Sequence, residues 1–262
     1  MTTIKLQDII YEHEKQEILQ PPLFSEAIRS INKEEPFSML EFKALKDYKD
    51  IITYTSGRLQ EIGRGSSRIA YILSQRFVLK VARNKMGTGS IEAGTAQNEA
   101  EYQTWDYATN VAKFALPKSI DINADGYWLI SELCRPLNNY KDFRELAGVT
   151  FTDMEDFIER FGFAGEKNFE PYIAKYDQKP KKIFKAVYEL LNTTDLVPIE
   201  FKQLSAWGKT IDGRLVLLDS GGTSEVLEQY YWKLTSDSHN STNNSLDNDG
   251  SSDDDTVTTS KI

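Results

Sequence analysis

The sequence holds one cysteine, Cys134, and two histidines, His13 and His239. A lone cysteine permits no internal disulfide framework and suits a reducing compartment. With the histidines far from it in sequence, Cys/His zinc clusters and a thiol-protease Cys–His pair are both excluded as readings. Apolar runs approaching the roughly 20 residues of a membrane helix are also missing. The opening stretch, MTTIKLQDIIYEHEKQEIL, is charged throughout and is not expected to be a signal peptide. Net positive charge is lacking as well: 31 Lys and Arg stand against 40 Asp and Glu, for a net charge of −9. That balance argues against a nucleic-acid backbone as the main partner. The one basic cluster, Lys179-Pro180-Lys181-Lys182, reads as a solvated helix start after a proline.

What is present is an ordinary globular complement: 40% apolar and 27% charged residues over 262 positions, enough for one domain or two lobes. The final stretch from about residue 236 is rich in Ser, Thr, Asn and Asp. It has too few apolar residues to offset the entropy of ordering and reads as a disordered acidic tail. Residues 1–56 read as a helical extension broken at Pro21-Pro22, with Phe24, Ala27, Ile28 and Ile31 on one face.

Three short β-prone runs follow, Arg58–Ile62, Arg68–Leu73 and Phe77–Ala82, separated by turn residues, so an antiparallel meander is expected. Asn84 to Gly94 reads as a loop and Gln97 to Ala112 as a helix with Glu101, Trp105, Ala108 and Ala112 on one face. Ala115–Ile120 and Tyr127–Glu132 read as two more strands around an Asn-Ala-Asp-Gly turn. Leu137 to about Asn192 is helical in pattern. Trp207–Thr210 and Arg214–Leu218 form a last hairpin, and residues 223–234 a last helix. The class is therefore α+β: a five-stranded antiparallel sheet with one helix, then a mostly helical part carrying a β-hairpin.

Chemistry gathers at few places. Leu217-Leu218-Asp219-Ser220-Gly221-Gly222 puts one carboxylate at a strand tip, followed by small residues. That arrangement suits a Mg²⁺ ligand against phosphates, and equally a plain turn. Gly63-Arg64-Gly65-Ser66 lies between two strands, where it is either a phosphate cradle or a simple glycine hairpin. Lys80 sits within an apolar strand; it either meets an anion or snorkels to solvent. Glu101, on the packed face of the next helix, is the best partner for an inward lysine.

In order and spacing these features resemble the protein-kinase-like fold over roughly residues 58–234. Gly63-x-Gly65 matches the glycine-rich loop, and Val78-Leu79-Lys80 the strand lysine. Glu101 stands at the helix glutamate, Trp128-Leu-Ile-Ser-Glu132 at the strand leading to the hinge, and Asp219 at the metal-binding Asp-Phe-Gly. The chain looks most like the small kinase-like proteins encoded by bacteriophages. The resemblance implies a two-lobed fold: an N-lobe at 57–134, a helical C-lobe at 135–235, and the tail at 236–262. It implies ATP with Mg²⁺ as cofactors, with Gly63, Gly65, Ser66, Lys80, Glu101 and Glu132 binding the nucleotide and Asp219 the metal. Lys80 and Glu200 would be the catalytic side chains. The substrate would be a small molecule or a protein, with no membrane partner, in the cytoplasm (the host's, for a phage protein).

The sequence departs from the family at the catalytic loop. His-Arg-Asp…Asn is absent; the equivalent stretch runs from Pro198 to Gly208, where the family's Asp falls near Phe201 and its Asn near Ala206. Glu200 is one residue away and supplies a carboxylate. Gln203, Ser205 and Asp195 are further candidates. Three readings stay open: a phosphotransferase with a degenerate loop, a pseudokinase that binds and regulates a partner, or a structural α+β protein whose motifs are accidental.

Overall fold

The computed structural model describes residues 36–84 and 91–232. The helical face expected around Phe24–Ile31 and the acidic tail lie outside these residues. The chain divides into two compact units. The first gathers the described residues up to Asn98, Pro117–Arg135 and the hairpin tip Thr210–Asp212. The second holds Glu99–Leu116, Pro136–Lys209 and the described chain from Gly213 onward.

In the first unit, Ser38 caps helix α1 (Met39–Ala44) and Asp47 caps helix α2 (Tyr48–Arg58); the Asp47 carboxylate accepts from the Lys49 N–H at 2.7 Å. The strands β1 (Gln60–Arg64), β2 (Arg68–Ile72), β3 (Phe77–Ala82), β4 (Ser119–Ile122) and β5 (Trp128–Glu132) form one antiparallel sheet of order β1-β2-β3-β5-β4. Alternation sorts its side chains. Ile69, Tyr71, Leu79, Val81, Trp128 and Ile130 face one way and form a core with Phe42 and Ile51 of the two helices and Leu59 just after them. The Phe42 and Trp128 rings meet at 5.2 Å between centroids. The opposite face carries Ala70, Val78, Lys80, Ala82, Leu129 and Ser131. Helix α3 (Glu92–Tyr107) starts on that face, where Gly94 lies directly over Ala82 and the Ser67 carbonyl.

The second unit is mainly helical: α4 (Tyr140–Ala147), α5 (Phe151–Ile158), α6 (Glu170–Ile173), α7 (Gln178–Thr193) and α8 (Ser224–Leu227). Thr150 and Asp153 form a capping box at α5, and Gly148 ends α4 at φ +78°, a conformation that favours glycine. The short strand β6 (Cys134–Pro136) lies at the edge of a small sheet of order β6-β7-β8, completed by β7 (Trp207–Thr210) and β8 (Leu215–Leu217). Trp207 is wholly buried beneath the β7–β8 hairpin among Phe143, Phe201 and Leu217, and its indole N–H donates to the Phe201 carbonyl at 2.9 Å. Arg214 ties the hairpin to the chain before Pro117, donating to the carbonyls of Phe114 and Leu116 at 3.0 and 2.9 Å.

The α+β class and the five-stranded antiparallel sheet stand as the sequence leads one to expect, with eight α-helices among the described residues. Several details differ. Arg58 closes α2 instead of opening a strand, because the helix capped at Asp47 runs on through Gly57. Helix α3 begins at Glu92 and takes Gly94 inside it. Ala112–Ala115 is a 3₁₀ turn, since Pro117 offers no N–H to a ladder and the strand starts after it, at Ser119. The strand Cys134–Pro136 is unanticipated, being too short to show a period. Among the described residues no helix is long and apolar enough to cross a membrane.

Candidate functional site

Two carboxylates from the catalytic-loop equivalent and from the strand tip come together in the second unit. The segment after α7 runs antiparallel to the one after β8. Leu196 and Thr223 form an isolated bridge, and the Val197 N–H donates to the Gly222 carbonyl at 3.3 Å. Asp195 fastens the far end, its backbone carbonyl accepting from the Ser224 N–H at 3.0 Å and its carboxylate from the Glu225 N–H at 3.2 Å. This clasp lays the Glu200 side chain on Gly222, where a Cβ would stand 3.0 Å from Glu200 Cγ and 3.2 Å from its Cδ. Glu200 and Asp219 are both half-buried. Burial first, and the charge of Asp219 second, push the Glu200 carboxyl above its ordinary range.

The neighbouring positions are structural. Phe201, where the family's aspartate falls, is 0% exposed and lies in the core. Ala206, where its asparagine falls, is buried, and its carbonyl accepts from the Leu218 N–H at 2.7 Å. Neither can contact a metal or accept a proton from a substrate. Gln203 and Ser205 are exposed on the 3₁₀ turns between Pro198 and Ala206. Asp195 braces the start of α8, whose N-cap is Thr223, rather than joining the carboxylate pair.

In the first unit, Lys80 is half-buried on the sheet face of Ala70 and Leu129, its cross-strand partners. Gly63 lies at a bulge of β1. A Cβ there would meet nothing within 4 Å, and its φ is not among the positive ones. The fold therefore does not itself require glycine at this position. The adjoining turn is tightly built: the Gly65 N–H donates to the Arg68 carbonyl at 2.9 Å, and the Arg83 guanidinium to the Gly65 carbonyl at 2.9 Å. Ser66 is exposed at its tip, whereas Ser67 is buried and donates to the Gln97 side-chain oxygen at 2.6 Å. The Glu132 carboxylate accepts from the Lys118 N–H at 3.1 Å and so is engaged at the sheet end. Glu101, in the part of α3 assigned to the second unit, is 1% exposed, a burial that a carboxylate tolerates only when it is matched by charge or hydrogen bonds. The basic cluster proves to be the solvated start of α7, with Lys179 donating to the Glu145 carbonyl at 2.7 Å and Lys182 over the Phe114 ring.

Sequence reasoning passes over Gly222 as the floor beneath Glu200, and over the paired serines Ser119 and Ser131. Only register and three-dimensional contact expose either. Among the described residues no group of three or more His, Cys, Asp or Glu side chains is placed to hold a metal. Glu200 and Asp219 are carboxylates, the donor type that Mg²⁺ takes alongside waters and substrate phosphates. No protein-family model matches the chain, and neither a curated protein nor a solved structure gives a significant match.

Proposed function

We propose that this chain binds ATP with Mg²⁺ in a two-lobed, protein-kinase-like fold and acts as a phosphotransferase with a degenerate catalytic loop. The observation that carries this reading is the Glu200–Asp219 pair, brought together by a backbone clasp and kept at a cost to the Glu200 charge. Structural carboxylates seldom need such a setting, while a metal ligand and a proton acceptor do. In this reading Asp219 holds Mg²⁺ and Glu200 accepts the substrate's hydroxyl proton. Lys80 takes the phosphate charge, oriented by Glu101, and the Gly63–Ser66 turn covers the phosphates. Glu132 marks the strand end beside the base. The substrate is a small molecule or a protein, and the setting the cytoplasm, the host's if the protein is phage-borne.

Thermal unfolding with and without Mg-ATP tests binding. Ligand at a hundred times its Kd stabilises by about 2.7 kcal/mol, a Tm rise of roughly 5–10 °C for a chain of this size. Lys80→Ala is expected to remove the rise while leaving the fold intact. No shift at millimolar Mg-ATP would sink the proposal.

Gly63 offers a finer check. Because a Cβ there meets nothing, Gly63→Ala is expected to change apo stability by no more than about 0.5–1 kcal/mol, and upward if at all. It should weaken Mg-ATP binding, because the added methyl stands where backbone and phosphate must approach. Equal affinity in the variant would show that the turn does not touch the ligand.

A second reading has its own support. With Phe201 and Ala206 in the core, the loop lacks two of the family's polar groups, as a pseudokinase would. That reading expects nucleotide or partner binding without release of γ-phosphate, and partner binding that survives Lys80→Ala.

A further inference from the structure

The glycine turn after β1 is open to solvent: Gly63, Arg64, Gly65 and Ser66 are all exposed. The fold does not by itself demand glycine at Gly65, any more than at Gly63. A Cβ on Gly65 would meet only the Arg68 carbonyl oxygen, at an ordinary 3.7 Å, and its φ is not among the positive ones. Two exposed glycines that the backbone does not require point to the close approach of another molecule.

Three carbonyls of this turn are held by protein donors. The Gly65 carbonyl accepts from the Arg83 guanidinium at 2.9 Å, the Ser67 carbonyl from the Arg83 N–H at 2.7 Å, and the Arg68 carbonyl from the Gly65 N–H at 2.9 Å. Arg83, directly after β3, thus supplies two of the three donors. The far side of the turn is anchored separately, with Ser67 bonded to Gln97 and Gly94 over the Ser67 carbonyl. The near side runs into β1, an edge strand that pairs only with β2. There the Arg83 guanidinium is the brace.

Carbonyl oxygens repel an anion, so their direction decides whether a turn can carry a phosphate. A trans peptide sets its C=O and N–H in opposite directions. Holding the Gly65 carbonyl on Arg83 therefore turns the Ser66 N–H to the other side. Released from Arg83, the same peptide would present its carbonyl as readily as its N–H.

We propose that Arg83 is a positioning residue for bound phosphates: its guanidinium sets the Gly65–Ser66 peptide so that the turn meets an anion with N–H groups and not with carbonyls. The inference rests on the nucleotide-binding reading above and adds to it a residue outside the turn. Arg83 acts on the turn, not on the ligand. An exposed bond on a loosely paired edge contributes little to global stability, so its loss is felt in affinity and not in folding.

The test is titration calorimetry of the full chain with Mg-ATP and with Mg-tripolyphosphate, using wild type, Arg83→Ala and Arg83→Lys, at about 0.05 M and about 0.5 M salt. Arg83→Ala is expected to weaken both ligands about tenfold, the effect of one charge-assisted hydrogen bond, and to move the apo Tm by no more than about 2 °C. Lysine keeps a donor long enough for the Gly65 carbonyl and should stay within about threefold of wild type. The tenfold gap should persist at high salt, because the orientation of a peptide is not screened. Equal affinity in the alanine variant would overturn the proposal. So would a gap that shrinks to about threefold or less at high salt, which would make Arg83 only a distant positive charge. A lysine variant no better than alanine would overturn it too, as would an apo Tm lowered by more than about 5 °C, which would make the bond part of the fold. If wild type binds both ligands and the alanine variant matches it, the role of Arg83 fails while the nucleotide reading stands. If wild type binds neither, both fall.

Discussion

Replacing Gly94 by alanine is expected to lower the melting temperature by roughly 10 °C, a loss near 3 kcal/mol for a chain of this length. In an exposed helix the same change would stabilise by up to about 1 kcal/mol, so the sign itself is diagnostic. The added Cβ would stand 2.9 Å from both Ala82 Cα and Ala82 Cβ, and closer still to the Ser67 carbonyl oxygen. Two of these three atoms are backbone. They belong to β3 and to the turn after β1, which is further held by the Arg83 N–H to Ser67 carbonyl bond at 2.7 Å. No side-chain rotation relieves the clash; helix α3 must lift off the sheet. The Ser67–Gln97 and Asn98–Gly126 hydrogen bonds would go with it. Circular-dichroism melts of the two proteins decide the matter. An unchanged or raised Tm would mean that the helix does not sit on the sheet as described.

Glu200→Gln is expected to cut phosphoryl transfer by 10²–10⁴-fold, the usual contribution of a general base, while making the protein slightly more stable at neutral pH. The second half follows from linkage. Burial and Asp219 hold the folded-state pKa of Glu200 above its unfolded value, so the native chain retains a proton that the unfolded chain releases between the two values. The stability from this group is complete below the unfolded pKa and lost as pH rises through the folded one. The variant does not titrate there. Its Tm should exceed that of the wild type by roughly 1–3 °C at neutral pH and match it below about pH 4. Mg²⁺ favours the ionised pair, so it should stabilise the wild type more at pH 8 than at pH 5 and the variant little at either. Tm profiles against pH, with and without Mg²⁺, read all of this. A difference that does not vary with pH would show that the carboxylate is not strained, and unimpaired turnover would remove Glu200 from the chemistry.

Both residues illustrate how far the chain could be read before folding. Strong local signals carried well: the Asn123–Gly126 turn with Gly126 at φ +66°, the Gly213 turn at φ +85°, and Lys80 inside an apolar strand. These depend on a residue's own preferences or on a short period. Gly94 misled because a glycine near Gly87 and Gly89 looks like loop, whereas its purpose is contact with a sheet formed elsewhere in the chain. Pro117 shortened a strand through a missing donor, a one-residue effect that a hydrophobic pattern does not register. Glu200 was within one residue of the expected aspartate position. Its closeness to Asp219, however, comes from the Leu196–Thr223 bridge, a pairing with no local sequence signature. Ser119 and Ser131 meet only through the register of β4 on β5.

Strand β1 shows a further property of the sheet. Four of its five residues are exposed, it pairs only with β2, and its ladder is broken by the bulge between Glu61 and Gly63. Little apolar area is lost if it detaches, so its opening draws on a small part of the molecule's total free energy. The glycine turn is thus mounted on an edge strand that can detach with little loss of buried area. Charge guards that edge: Glu61 and Arg64 form a two-pronged ion pair along it. A strand that opens readily is a template for pairing with another chain, and flanking charges with a bulge are how proteins keep such an edge from aggregating.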